Sequence, residues 1–212
     1  MYRISKLIIC LAIICLSSCS TTSQKDVSDF EKTSADIYFV PIGPLAPEYI
    51  VSLATYYEDV FNLNIGITPP LPYSSKVYNS ERKQLIAQEL ITLMRETFDS
   101  VYQNEKAIFI GVTHSDMYIE GKSWRFAYAQ RQGLNYAVHS SSRTSRKQQP
   151  KFLDIKNVHP GLRKMITKTV GLLHYRKPMN SNPESVLYNR VLGLDDLNII
   201  NESTVYKDIL DL

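Results

Sequence analysis

Hydrophobic and polar positions alternate along this chain in short runs whose period keeps changing. Ile37-Tyr38-Phe39-Val40 is a compact apolar block closed by Pro41 and a Gly-Pro turn, which predicts a strand. Behind Pro47, a residue suited to a first helical turn, Tyr49, Ile50, Leu53, Tyr57, Val60 and Phe61 recur at helical spacing and predict a helix over 47–62. Asn64 to Thr68 reads as a short strand before Pro69-Pro70-Leu71-Pro72. The longest helix is predicted from Ser80, its cap, to Tyr102, with Ile86, Leu90, Leu93, Thr97 and Val101 as its buried stripe. Ala107-Ile108-Phe109-Ile110-Gly111-Val112 is continuously apolar and too short for a typical helix, so it predicts a central strand covered on both faces. Strands around Arg125–Ala129 and Tyr136–Ser140, a loop from Ser140 to Pro150, a helix over 162–173 and a helical stretch after Leu194 complete the pattern. The order β-α-β-α-β-β-β-α-α defines an α/β or α+β domain with a mixed sheet.

Composition changes this picture mainly at the N-terminus. With 212 residues, 44% hydrophobic and 21% charged, the chain suits one compact domain and an appendage, and wholesale disorder is excluded. Its cysteines, Cys10, Cys15 and Cys19, all lie at the start. There, Arg3 and Lys6 precede an apolar run from Leu7 to Leu16, followed by Ser17 and Ser18. That run falls far short of the roughly 20 residues needed to span a bilayer and matches the core of a secretory signal. Leu16-Ser17-Ser18-Cys19 resembles the lipobox of bacterial lipoproteins. The resemblance implies cleavage before Cys19 and acylation of its thiol and new amino group. It divides the chain into a leader over 1–18, a polar tether over 19–35 and a domain over 36–212. Ser20 is not the aspartate that retains such proteins at the inner membrane, so the expected place is the outer membrane facing the periplasm. Net charge is +3, and removing Arg3 and Lys6 leaves 3 − 2 = +1. No basic face is required, and nucleic acid is not an expected partner. Arg143, Arg146, Lys147 and Lys151 read as an exposed basic loop, or alternatively as a patch meeting an anionic envelope surface or partner. The 14 tyrosines and Trp124 read mostly as packing.

Candidate chemistry concentrates between Lys164 and His174. This stretch has the frame H-E-x-x-H-x-x-G-x-x-H, in which two imidazoles at i and i+4 share a helical face and bind one zinc ion. The glycine lets the chain leave the helix so that a third histidine closes the site, and the glutamate takes a proton from zinc-bound water. Here Gly171, Leu172 and His174 fill their places. Lys164 and Lys168 stand at the first two histidines and Met165 at the glutamate. Further segments follow in chain order. Phe39-Val40-Pro41-Ile42-Gly43 comes first, and Tyr78-Asn79-Ser80-Glu81-Arg82-Lys83-Gln84 is similar to Y-N-x-x-R-x-Q-Y. Gly111-Val112-Thr113-His114-Ser115-Asp116-Met117-Tyr118 is similar to G-V-T-x-x-D-L-Y, and Phe126-Ala127-Tyr128-Ala129 stands near a substrate-pairing edge strand. Ala137-Val138-His139-Ser140-Ser141-Ser142-Arg143 is similar to A-V-V-S-x-x-R. Over nearly all of residues 37–200 the sequence thereby resembles the archaemetzincins, small zinc-dependent metzincin proteases.

Two departures shape what this resemblance implies. The four-cysteine second metal site common in that family has no counterpart. Instead Asn182-Pro183-Glu184-Ser185-Val186-Leu187-Tyr188 resembles the N-P-x-S-I-M-Y Met-turn of matrixin-type metzincins, with Leu187 in the methionine's place, and Leu194 to Ile200 resembles their closing helix. Of the three zinc ligands only His174 remains, and protonated Lys164 and Lys168 have no lone pair to give. His114, His139, His159 and Asp116 form no H-x-x-x-H pair, and no G-x-S-x-G elbow is present. No cofactor is expected, or zinc if the family's activity is retained. Lys164 and Lys168 read either as a solvated helix face or as an ammonium in the lost zinc's volume, holding a carboxylate of the chain itself. With His174 they outline a candidate anion or peptide cleft. The leading expectation is a membrane-anchored pseudo-metalloprotease that binds a peptide or envelope protein without cutting it, the edge strand offering β-augmentation. The alternatives are a peptidase or hydrolase with a rebuilt, non-standard site, and a purely structural envelope component.

Overall fold

The computed structural model describes residues 25–99, 106–144 and 160–211. The expected lipidation site Cys19, the expected leader, the start of the expected tether, Tyr102, Arg146, Lys147, Lys151 and His159 lie outside them. A five-stranded sheet carries the domain in the order β2 (Ile65–Ile67), β1 (Ile37–Pro41), β5 (Ile108–Thr113), β8 (Tyr136–Ser140), β7 (Ala129–Gln132). All neighbours run parallel except β7, which pairs antiparallel with β8 at the sheet's edge, Ala129 facing His139 and Arg131 facing Ala137. β1, β5 and β8 are buried along their whole length because helices cover both faces.

Side chains sort by alternation. Ile37, Phe39, Ile108, Ile110, Val112 and Ala137 share one core with α1 (Pro47–Phe61) and α3 (Pro160–Leu173). Tyr38, Val40, Phe109, Tyr136 and Val138 point the other way, into a core with α2 (Ala87–Phe98). On that second face Phe109 stacks between Tyr38 and Tyr136, with ring centroids 5.2 and 5.4 Å away. Tyr57, fully buried in α1, ties α3 in place by donating to the Arg163 carbonyl (3.0 Å) and meeting the Thr167 hydroxyl at 2.9 Å.

The architecture is the mixed α/β one that the pattern predicts, with one element redrawn. Residues 80–86 are not helical: Ser80 caps nothing, and the chain forms a hairpin of β3 (Tyr78–Asn79) and β4 (Gln84–Ile86), with Lys83 at φ 53° in its turn. A left-handed residue there stops a helix from starting at Ser80. α2 begins at Ala87, and its buried side is Ala87, Leu90, Ile91, Met94 and Phe98 rather than the predicted stripe. β4 also pairs with β6 (Met117–Tyr118), making a second, three-stranded sheet. The strand expected over 125–129 lies slightly later, as β7. Beyond α3 come the short helices α4 (Leu194–Ile199) and α5 (Val205–Asp208).

Candidate functional site

Helix α3 carries Lys164, Met165, Lys168 and Gly171. Lys164 lies on its first half and directs Nζ to the Leu197 carbonyl of α4 at 2.9 Å. Lys168, one turn on and only 9% exposed, donates to the Tyr188 carbonyl. Both ammonium groups therefore rest on the chain's own backbone oxygens, not on a carboxylate. Burial lowers the Lys164 pKa, with Glu202 opposing. Lys168 is pushed down to about 8, first by burial and then by the charge of Arg131. Met165 is buried in the α1–α3 core instead of facing a reacting water.

Gly171 does not turn the chain. It stays inside α3, and the His174 N–H still donates to the Val170 carbonyl at 2.9 Å, so the helical path runs on to His174. The turn comes at Arg176, in the left-handed region at φ 55°. Gly171 is needed for close approach instead: a Cβ there would stand 2.9 Å from both Leu187 Cδ2 and Ile209 Cδ1. At about 100° per residue, Lys164 and Lys168 share a stripe, and His174 lies about 100° away from it. Accordingly His174 packs edge-on against Tyr175, its pKa lowered by burial with Asp36 opposing. The structure brings Lys164 and Lys168 onto one face and leaves His174 off it.

Beneath α3 the segment resembling a Met-turn is closed by Ser185. This fully buried hydroxyl donates to Asp208 at 2.6 Å and accepts from the Leu187 N–H (3.0 Å) and the Asn180 amide (2.8 Å). Leu187 is buried against Gly171, and Tyr188 turns its carbonyl toward Lys168.

Parts of the segments that carried the family resemblance converge around Asp116 and Arg125. Asn79 donates to the Tyr118 hydroxyl (3.1 Å), and the Arg82 guanidinium lies 4.0 Å over the Tyr118 ring. Gln84 bridges Asp116 and the Arg125 carbonyl, each at 2.9 Å, and Arg143 grips both oxygens of Asp116. Arg82 also donates to the carbonyls of Trp124 and Arg125. This clamp fixes the chain that leads into β7. Asp116 is thus an anchor held by Arg143, and Arg143 belongs to the clamp and not to a free basic patch.

Among the described residues, His114 and His139 have no contact with each other. His114 Nδ1 lies 2.6 Å from the Ser141 hydroxyl and its ring is edge-on to Tyr49, with burial lowering its pKa. Ser141 is 2% exposed, too enclosed for a nucleophile as it stands. His139 is fully buried, neither ring nitrogen has a hydrogen-bond partner, and its pKa is pushed down to about 3 by burial and then by Arg131. Arg131, exposed at the sheet edge and partly desolvated, is the residue that the sequence pattern missed. Its place follows from the β7–β8 register, which no short motif encodes.

A mixed sheet with an antiparallel edge strand over a long helix, and a turn supporting that helix from below, defines a zincin-type α/β domain. The fold is archaemetzincin-like, as three solved structures show. The archaemetzincin of Archaeoglobus fulgidus, solved with malonate, matches over 77% of this chain and 92% of its own, with a TM-score of 0.59 at 18% identity. The archaemetzincin of Methanopyrus kandleri matches over 78% and 86%, with a TM-score of 0.58 at 15% identity. A zinc-dependent peptidase of Methanocorpusculum labreanum matches over 78% and 93%, with a TM-score of 0.60 at 15% identity. No family model matches the sequence, and neither does any curated protein.

Zinc, the metal named for that last neighbour, does not fit the donors on α3. Two of the three ligand positions carry ammonium groups already committed to carbonyl oxygens, and the one imidazole lies off their stripe. Among the described residues no group of three His, Cys, Asp or Glu side chains is placed to hold a metal ion.

Proposed function

We propose that this chain is a lipid-anchored, non-catalytic protein of the bacterial envelope. In this reading it uses the cleft between β7 and α3 to bind a peptide or a protein segment without cutting it. One observation carries the reading: Lys164 and Lys168 rest on the carbonyls of Leu197 and Tyr188, while Met165, at the general-base position, is buried in the core. A zinc protease needs imidazoles and a carboxylate at those three places. β7, an edge of the sheet among the described residues, suits addition of an extended peptide strand. The anchor rests on Leu16-Ser17-Ser18-Cys19 and the apolar run before it, and no helix among the described residues is long and apolar enough to cross a membrane. The outer membrane, facing the periplasm, is the proposed place.

Two measurements test this. Purified protein is expected to hold well under one zinc per chain and to leave a fluorogenic peptide library uncleaved; stoichiometric zinc with cleavage would establish the peptidase alternative. Cys19→Ser is expected to release the protein from membranes or leave an uncleaved precursor. A variant of mature size that stayed in the membrane fraction would overturn the lipid anchor.

A further inference from the structure

Five cations of this domain hold an acid from another part of the chain. Lys25 and Lys32 hold Glu58 at 2.8 Å, Arg143 holds Asp116 at 2.6 Å, Arg163 holds Glu202 at 2.6 Å, and Lys177 pairs with Asp211. Lys168 and Arg131 break the pattern. Neither has a carboxylate partner among the described residues. Burial, and then the like charge of Arg131, both push the Lys168 pKa down. A buried ammonium that also feels a guanidinium's charge is electrostatically costly unless an anion joins them.

The strand register puts both groups on the same side of the sheet. Ala137 points into the core shared with α3, so Arg131, paired opposite it, and His139, two residues on, lie on that same face of the sheet. His139 brings a second, independent sign that a polar partner belongs there, since it is fully buried with both ring nitrogens unpartnered. On the α3 side, the Lys168 ammonium donates to the Tyr188 carbonyl, leaving two of its three N–H groups for something else. Arg131 is open to solvent, so a ligand can reach the pair along the sheet edge.

We infer that Lys168 and Arg131 form a receptor for a carboxylate, with His139 behind them, so that the cleft selects peptides bearing a carboxylate beside the edge strand. This rests on the peptide-binding reading above and names its ligand class. A planar guanidinium presents paired donors that match the two oxygens of a carboxylate, and the ammonium adds a point charge from α3. A peptide laid along β7 would carry such a group to the pair, and main-chain bonds would supply the rest of the affinity. In effect, a fold that elsewhere holds a cation here offers a site for an anion.

The full-length chain in detergent serves for the test. Acetate at 0.1 M is expected to raise the melting temperature by about 3 °C over chloride at equal ionic strength, a gain lost in R131Q and in K168M. Acetyl-tetraalanine with a free C-terminal carboxylate is expected to bind at least about tenfold tighter than its amide, and either variant should erase the difference. R131Q changes an exposed edge residue and keeps the test valid should K168M fold poorly. An acetate effect equal to that of chloride, or one that survives in R131Q, overturns the carboxylate site. Equal binding of acid and amide peptides also overturns it, yet leaves peptide binding in the cleft standing. An acetate effect with no binding of either peptide keeps the anion site and overturns the peptide reading.

Discussion

Ser185 and Lys168 both serve the turn around Leu187, one from within it and one from above. Ser185 has every hydrogen-bonding atom satisfied and no exposure, and it fixes Leu187 against Gly171 by packing that needs no metal. Lys168 stands at a ligand position, where a charge is desolvated and offset by one carbonyl and no acid. The support beneath the helix is fully bonded and packed, while the helix face above it carries a desolvated charge. Core complementarity is enforced by the fold's own stability, whereas ligand chemistry is enforced only by the reaction. Substitutions should therefore cost much in the support and little on the face.

The largest expected effect comes from the unpartnered imidazole beside that face. His139 has a folded pKa of about 3 against an ordinary 6.5, so the unfolded chain binds more protons between those values. Stability is then expected to fall as pH drops from 6.5 toward 3, by about 1.4 kcal/mol per unit, or roughly 5 kcal/mol in all. His139→Val, which restores the residue of the A-V-V-S-x-x-R pattern, should flatten this acid limb in urea titrations at several pH values. An unchanged limb would mean that the ring finds a partner when protonated.

In the support, Gly171→Val drives methyl groups into Leu187 and Ile209 and should cost about 3 kcal/mol. Ser185→Ala strands the Leu187 N–H and the Asn180 amide and should cost about 2 kcal/mol. Denaturant midpoints measure both, and losses below about 0.5 kcal/mol would erase the contrast. On the face, Lys168→Met should change stability at pH 7 by under about 1 kcal/mol, because relief of the desolvated charge offsets the lost bond to Tyr188. Lys168 has a folded pKa of about 8, below its ordinary 10.5. Its penalty is thus fully present below pH 8 and relieved between 8 and 10.5, so stability should rise with pH across that window in the parent and not in Lys168→Met. A parent curve flat over that window would show that Lys168 keeps an ordinary pKa in the folded chain.

What the sequence made legible follows from these physics. β1, α1, β5, β8 and α3 announce themselves because continuous or helically spaced apolar residues have one way to be buried. Residues 80–86 do not, because Arg82 and Gln84 find their partners around Asp116 and Arg125, some forty residues on, and a polar hairpin so held has no hydrophobic period. Strands of two or three residues, such as β3, β4 and β6, are too short to show any. The degenerate frame was visible by spacing alone, but spacing could not show that Gly171 serves packing and not bending. Arg131 was out of reach for the same reason: its meaning lies in a cross-strand register.

The smallest expected effect tests that helical path directly. In Lys164→His, Met165→Glu, Lys168→His the first two imidazoles stand at i and i+4 on one stripe and can share a zinc ion. A third from His174 would complete a catalytic set only if the chain left the helix at Gly171. In this structure it does not: the His174 N–H holds the Val170 carbonyl, and the turn waits until Arg176. Two imidazoles and solvent should bind zinc weakly, and His174→Ala added to the triple variant should change the dissociation constant less than about threefold. Zinc titrations of the two proteins decide the point. A loss of a hundredfold on removing His174 would mean that the last turn of α3 unwinds to bring a third imidazole to the metal.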